Sequence, residues 1–314
     1  MLYCGCAENR RLRLAAGQET NAGFRTEQSI EEKSITMPST QPIHHDRLAV
    51  STWSLHRTLG RLPFYGPEAN GTVPVRPMAP AALPLLELPA RVAAFGLHKV
   101  EICHFHLPSR EPAYLHQLRA ALERAEVTLW QLLIDAGDIT HPTQAEAEIA
   151  WIEGWLDVAG ALGATRARVS GGRAEPSQQT LTASHNALAR LADYAQKRGV
   201  RLMTENWQTL LAKPEYVLAV LDGLDHIGLL ADFGNWSGPT KYEDLAQILP
   251  RAESAHAKAH FVGPGQLDKT DYVRCLELCQ AVDFGGPYSL IYDGPDNDEW
   301  AGLQLERSVV MNYL

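Results

Sequence analysis

From Leu48 to the C-terminus the chain alternates two kinds of segment. Short apolar runs at 48–52, 99–103, 128–134, 166–170, 201–204, 228–231, 254–258 and 288–292 have the length of strands. Polar loops separate them from longer stretches with apolar residues at helical spacing. Residues 144–162 place Ile149, Ile152, Leu156 and Ala159 on one face, and 184–198 do the same with Leu188, Leu191 and Ala195. Eight strand–helix units in one chain of this length predict a (β/α)8 TIM barrel, a single α/β domain over 47–314. A doubly wound sheet is the alternative, but the first strand leads into Ser51-Thr-Trp-Ser-Leu-His56 rather than a glycine-rich dinucleotide turn.

The first 46 residues break this pattern. They hold Arg10-Arg-Leu-Arg13 and a Thr/Ser/Pro stretch at 36–42 with no sustained period, which predicts a flexible N-terminal tail. No stretch there is long and apolar enough for a secretory signal; the scarcity of early acidic residues leaves an organellar presequence open, and Met37 is an alternative start. No run reaches the roughly 20 apolar residues of a membrane span, so the expectation is a soluble, cytoplasmic protein without a membrane partner.

A formal charge of −9 and the absence of a Lys/Arg run argue against a nucleic-acid partner and for a small-molecule substrate. The five cysteines, at 4, 6, 103, 275 and 279, form no paired framework and read as free thiols of a reducing compartment. Oligomeric state, a homo-oligomer included, is not written in these numbers.

The chemistry concentrates at strand ends. Glu205, Asp232, His256 and Asp293 each stand at the end of a different apolar run. In a barrel all strands point the same way, so these four side chains would share one mouth. Three carboxylates and an imidazole suit a divalent ion such as Mn²⁺, Mg²⁺, Co²⁺ or Zn²⁺, and the lack of thiolates argues against structural zinc. Each residue alone also reads as a helix cap, a loop residue or a core histidine. Lys258, two residues after His256, points to the same side of its strand, and two such groups facing a barrel interior are costly unless used. Lys258 is therefore a candidate catalytic residue.

Thr204-Glu-Asn-Trp207, Ala231-Asp-Phe-Gly-Asn-Trp236, Ala255-His-Ala-Lys-Ala259 and Tyr292-Asp-Gly-Pro295 resemble, in order and spacing, strand-end motifs of the xylose isomerase-like TIM-barrel superfamily, the sugar phosphate isomerase/epimerase group. Lys99-Val-Glu-Ile102, Ile134-Asp-Ala-Gly-Asp-Ile-Thr140 and Arg168-Val-Ser-Gly-Gly172 resemble the earlier ones. The resemblance implies metal ligands at Glu205, Asp232 and His256, a fourth carboxylate from the last strand, and a carbohydrate substrate converted by proton abstraction through a metal-stabilised enediolate. The chain departs from the pattern at the last strand, where Ile291 stands at the position of the family's ligand glutamate. Either Asp293 substitutes for it or the site keeps three protein ligands. With one carboxylate lost, Glu205 acting as sole base also supports lyase or dehydratase chemistry on a keto sugar.

Trp53, Trp207 and Trp236 follow strands and could stack on a sugar or cover the barrel rim. His106, Asn206, Asn235 and His260 complete the candidate substrate-binding set. If the second strand runs past Cys103, alternation sets His104 and His106 opposite Glu101. Gly171-Gly-Arg173 and Gly263-Pro-Gly265 read as ordinary loops as readily as phosphate sites, which favours an unphosphorylated sugar or polyol. A non-catalytic sugar-binding barrel is the competing class. A multinuclear endonuclease would need more ligands and a basic groove.

Overall fold

The computed structural model describes residues 45–60, 65–67 and 81–314. Apart from residues 45 and 46, the expected tail and Met37 lie outside the described residues. The strands are β1 Leu48–Ser51, β2 Lys99–Cys103, β3 Thr128–Ile134, β4 Arg166–Val169, β5 Arg201–Glu205, β6 Gly228–Asp232, β7 Ala252–Lys258, β8 Phe261–Gly263, β9 Gln266–Leu267 and β10 Tyr288–Ile291. Eight of them close a parallel barrel in the order β1-β10-β7-β6-β5-β4-β3-β2, while β8 and β9 pair as an antiparallel hairpin after β7. The predicted barrel is therefore observed, with strand boundaries displaced by no more than two residues. The hairpin was not anticipated, because three- and two-residue strands leave no period to read.

The helices are α1 His56–Leu59, α2 Leu88–Ala94, α3 Pro112–Arg124, α4 Ala145–Leu162, α5 Gln178–Gln196, α6 Pro214–Leu221, α7 Lys241–Ile248, α8 Lys269–Ala281 and α9 Glu299–Val310. Their ends follow local chemistry. A capping box between Ser177 and Thr180 starts α5, a few residues before the sequence pattern placed it. Proline at the first turn opens α3 and α6, where its missing N–H is no loss. Gly163, at φ 72°, turns the chain out of α4. The apolar face read in α4 is buried at Ile149, Ile152, Leu156 and Ala159, and Trp155 is sealed beneath them. No helix among the described residues is long and apolar enough to cross a membrane.

Strand registers set what faces the barrel mouth. Asp232 lies beside His256, His256 beside Ser289, and Lys258 beside Ile291. Side chains alternate in and out along each strand. Inward positions are polar to an unusual degree, with Glu101, Gln131, Arg168, Ser254 and Ser289 all buried, whereas the outward positions Leu48, Val50, Val100, Ile102 and Leu132 form the core under the helices.

One buried acid sits close to the mouth without lining its cavity. Glu306 on α9 is fully buried, and among the described residues its carboxyl oxygens lack a well-aligned hydrogen bond, with only the Ala259 and Ile291 backbones close by. Burial pushes its pKa well above the ordinary carboxylate value, against the weaker opposing pull of the Ala259 backbone and Lys258. An acid with a raised folded-state pKa loses stability for the fold as pH rises from its ordinary value of 4.5 through the folded one. Glu306→Met is thus expected to stabilise the protein by about 1–3 kcal/mol, with a larger gain at about pH 8 than at about pH 5, in urea unfolding. A variant less stable than wild type at both pH values would show that the carboxyl is engaged.

Candidate active site

The C-terminal ends of β5, β6 and β7 deliver Glu205, Asp232 and His256 to one spot. Each offers a donor atom, and the three atoms lie within 4.8 Å of one another. His256 Nδ1 is 3.2 Å from Asp232 Oδ2 and 3.7 Å from Glu205 Oε1. The other nitrogen, Nε2, donates to Glu101 Oε2 at 2.9 Å, and Ser289 Oγ donates to the second oxygen of Glu101 at 2.7 Å. Glu101 therefore fixes the ring and turns Nδ1 toward the two carboxylates.

Three carboxylates around one buried imidazole require a cation. Burial alone would push the His256 pKa down, but Glu101, Glu205 and Asp232 outweigh it and hold the pKa well above the ordinary value. Either a second proton on the ring or a metal ion in its place meets this demand. Ligands on one ion at bond lengths of roughly 2 Å sit about 3 Å apart, so the observed separations close on an ion with small side-chain movements. The oxygen and imidazole donors fit a divalent ion, and the second ring nitrogen is already engaged as a metal-bound histidine's usually is.

The Asp232 and Glu205 carboxylates are held from behind. Asp232 Oδ1 accepts from the backbone amides of Gly234 at 2.6 Å and Asn235 at 2.9 Å. Burial tends to raise its pKa, yet His256, Lys258 and the Gly234 amide together lower it. Asn235 Nδ2 donates to Glu205 Oε1 at 2.6 Å. Arg168 Nε lies 2.8 Å from Glu205 Oε2, an ion pair without the alignment of a hydrogen bond. Arg168 Nη2 also donates to Asp135 Oδ1 at 2.7 Å. Burial would raise the Asp135 pKa, but Arg168 and, after it, His104 outweigh it and bring the value down to about 2.

A cavity of about 50 Å³ lies over these groups, walled by Trp53, Leu133, Trp207 and Ile291 and edged by Lys258. Two cations flank it, each near an indole: Arg168 is 5.1 Å from the Trp207 ring and Lys258 Nζ 5.8 Å from the Trp53 ring. Past Lys258 and Asp293 lies a wider hollow of about 520 Å³, lined by Trp236, Tyr242, His260, Phe261 and Asp268 among others.

The predicted residues separate accordingly. Glu205, Asp232, His256 and Lys258 come together, with Asn235, Trp53 and Trp207 around them. Asp293 does not join the three donors: its half-exposed carboxylate pairs with Lys258 Nζ at 3.0 Å. The strand ends at Ile291, whose side chain lines the cavity, so a residue two positions later falls outside the barrel at the rim. The arrangement brings three of the four predicted donors together and leaves Asp293 outside them.

Asn206 is turned away from the cavity, its side chain bridging to the backbone N–H and C=O of Asp232 at 2.7 and 3.1 Å and clamping β5 to β6. Strand β2 stops at Cys103, and 104–106 form a 3₁₀ turn. The condition for His104 and His106 to alternate with Glu101 is thus unmet. His106 is buried between Thr52 and His56 rather than in the cavity wall. Trp236 donates to Leu211 O at 3.2 Å and lines the outer hollow with His260. Asp135 and Arg168 were not among the predicted site residues, and Glu101 was expected only as a polar residue that could line the mouth. The available signal was a charge at an inward position of an apolar strand, as in Val100-Glu-Ile102 and Ala167-Arg-Val169.

Residues 89–304 match the family model described as xylose isomerase-like TIM barrel. No curated protein sequence matches the chain. Among solved structures, a xylose isomerase-like TIM barrel protein from Mycobacterium smegmatis in complex with magnesium is 17% identical, with TM-score 0.60 over 85% of this chain and 97% of that one. A D-allulose 3-epimerase from Methylomonas sp. is 17% identical, with TM-score 0.59 over 85% and 98%. The probable 3-DHS dehydratase of Bacillus anthracis is 14% identical, with TM-score 0.59 over 84% and 98%. Likeness at these identities is likeness of fold.

Proposed function

The chain belongs to the xylose isomerase-like TIM barrel family, and from that premise we propose that it is a divalent-metal-dependent enzyme of the sugar isomerase/epimerase type. Its reaction would move a proton at a carbon beside the carbonyl of a sugar, keto sugar or polyol derivative. The observation that carries this reading is the convergence of Glu205, Asp232 and His256 in one cavity with a charged Lys258 at its edge. A divalent ion held by these three residues would polarise substrate oxygens and so acidify the neighbouring C–H.

The chain's own groups divide the remaining work. Glu205 is the base, a buried carboxylate in the cavity wall. Lys258 serves as an acid: burial would lower its pKa, but Asp232 and Asp293 outweigh that and raise it, so the amine stays protonated and meets negative charge developing on oxygen. The inner cavity is small, and the wider hollow beside it, with its aromatic walls, offers room for the rest of a substrate.

Ile291 favours one base over two. A proton exchange between opposed carboxylates lacks its second carboxylate here, whereas isomerisation needs one base and one acid. The same asymmetry supports a second reading, dehydration of a keto sugar, with Lys258 protonating the departing hydroxyl.

The test is exchange of carbon-bound hydrogen in deuterium oxide, followed by NMR, with Mn²⁺-loaded protein and a panel of aldoses, keto sugars and polyols. Retained metal with no exchange and no new product across the panel would leave the binding-protein reading. Lys258→Met is expected to keep its metal and lose about 10²–10³ in turnover. An unchanged turnover number would remove Lys258 from the chemistry.

A further inference from the structure

Two polar atoms in the inner wall are buried without a partner among the described residues. Arg168 Nη1 and Asp135 Oδ2 belong to side chains only 3% and 1% exposed, and both residues line the inner cavity. The other atoms of the pair are engaged, Arg168 Nη2 with Asp135 Oδ1 and Arg168 Nε with Glu205. His104 Nδ1, 3.6 Å from Asp135 Oδ2, does not satisfy it, because that nitrogen already accepts from the Asp135 backbone N–H. Leaving a buried donor and a buried acceptor unmatched is costly, and a site that holds both in one cavity wall is arranged for something that enters.

The pair dictates what that is. Guanidinium only donates and carboxylate only accepts, so a single group that meets both must do both. A hydroxyl does. A ketone oxygen, a carboxylate or a fully ionised phosphate only accepts, and the anions would also face the charge of Asp135. We propose that Arg168 and Asp135 form a hydroxyl receptor in the β3–β4 wall, across the barrel from Lys258, which selects substrates carrying a free, uncharged hydroxyl beside the carbon facing Glu205. The proposal rests on the enzymatic reading above and narrows its substrate class to polyhydroxylated compounds unphosphorylated and uncarboxylated at that position.

Calorimetric titration of Mn²⁺-loaded wild type, Arg168→Lys and Asp135→Asn with xylitol and with xylonate tests it, with metal content and melting temperature measured for each. Arg168→Lys keeps the charge and loses the second N–H arm, and is expected to bind xylitol about tenfold more weakly with metal retained. Asp135→Asn is expected to shift the xylonate-to-xylitol affinity ratio toward xylonate by about tenfold. The metal's own pull on xylonate is common to wild type and variant and cancels in that ratio, and a loss of xylitol affinity itself in Asp135→Asn separates the lost hydrogen bond from the lost charge. If both variants keep metal, bind xylitol as wild type does and leave the ratio unmoved, the receptor is wrong and the metal-enzyme reading stands. Undetectable xylitol binding by wild type also overturns it. A wild type that holds no Mn²⁺ sinks the enzymatic reading instead, and the same ratio in metal-free protein still decides the receptor.

Discussion

Glu205→Gln is expected to lower the rate of proton exchange by about 10³-fold, within the 10²–10⁴ range of general-base catalysis, while leaving the barrel folded. The amide keeps the shape of the side chain, and its oxygen can still accept from Asn235 Nδ2 or lie near Arg168 Nε. What it cannot do is take a proton. It is also a weaker metal ligand, so metal content must be read beside turnover, with Asp232→Asn as the comparison. The latter weakens the ion site without removing the base. At saturating Mn²⁺, Asp232→Asn should regain activity and Glu205→Gln should not. Exchange within fivefold of wild type in a metal-saturated Glu205→Gln protein would transfer the base role elsewhere.

The reason Glu205 could be picked out before any coordinates is positional. A parallel barrel converts the last residue of every strand into a neighbour of the others, so identifying strand ends was enough to group Glu205, Asp232 and His256. Alternation was enough to add Lys258. The strands themselves were legible because each is a short apolar run flanked by polar loops, and α4 because its buried residues repeat at helical spacing. Residues whose role depends on a single rotation or a single position were not legible. Asn206 follows Glu205 directly, yet it faces the neighbouring strand's backbone and closes β5 onto β6. Asp293 is two residues from a cavity-lining position and lies at the rim. Arg168 and Glu101 read as charges within apolar runs until the closed barrel shows that their sides face inward, where one reaches Glu205 and the other His256.

The second large effect is on metal affinity as a function of pH. With Nε2 held by Glu101 and Nδ1 between Asp232 and Glu205, His256 in the metal-free protein carries a proton on each nitrogen, its pKa raised well above the ordinary 6.5 because the three carboxylates outweigh the cost of burial. A metal ion must displace the Nδ1 proton, so each ion bound releases one. Affinity for Mn²⁺ should then fall as pH is lowered, by about tenfold per unit once pH is below that raised pKa. The same raised pKa fixes the sign for stability. The metal-free protein has the full benefit of the imidazolium below about 6.5 and loses it as pH rises through the folded-state value, whereas bound metal supplies the missing positive charge at any pH where it binds. Melting curves of metal-free and Mn²⁺-loaded protein should therefore diverge as pH rises, and His256→Gln should remove both the divergence and the proton release. A metal affinity that does not change between about pH 6 and pH 8 would mean that Nδ1 of His256 is not displaced by the ion, and that the three-carboxylate cradle serves only to hold a charged histidine.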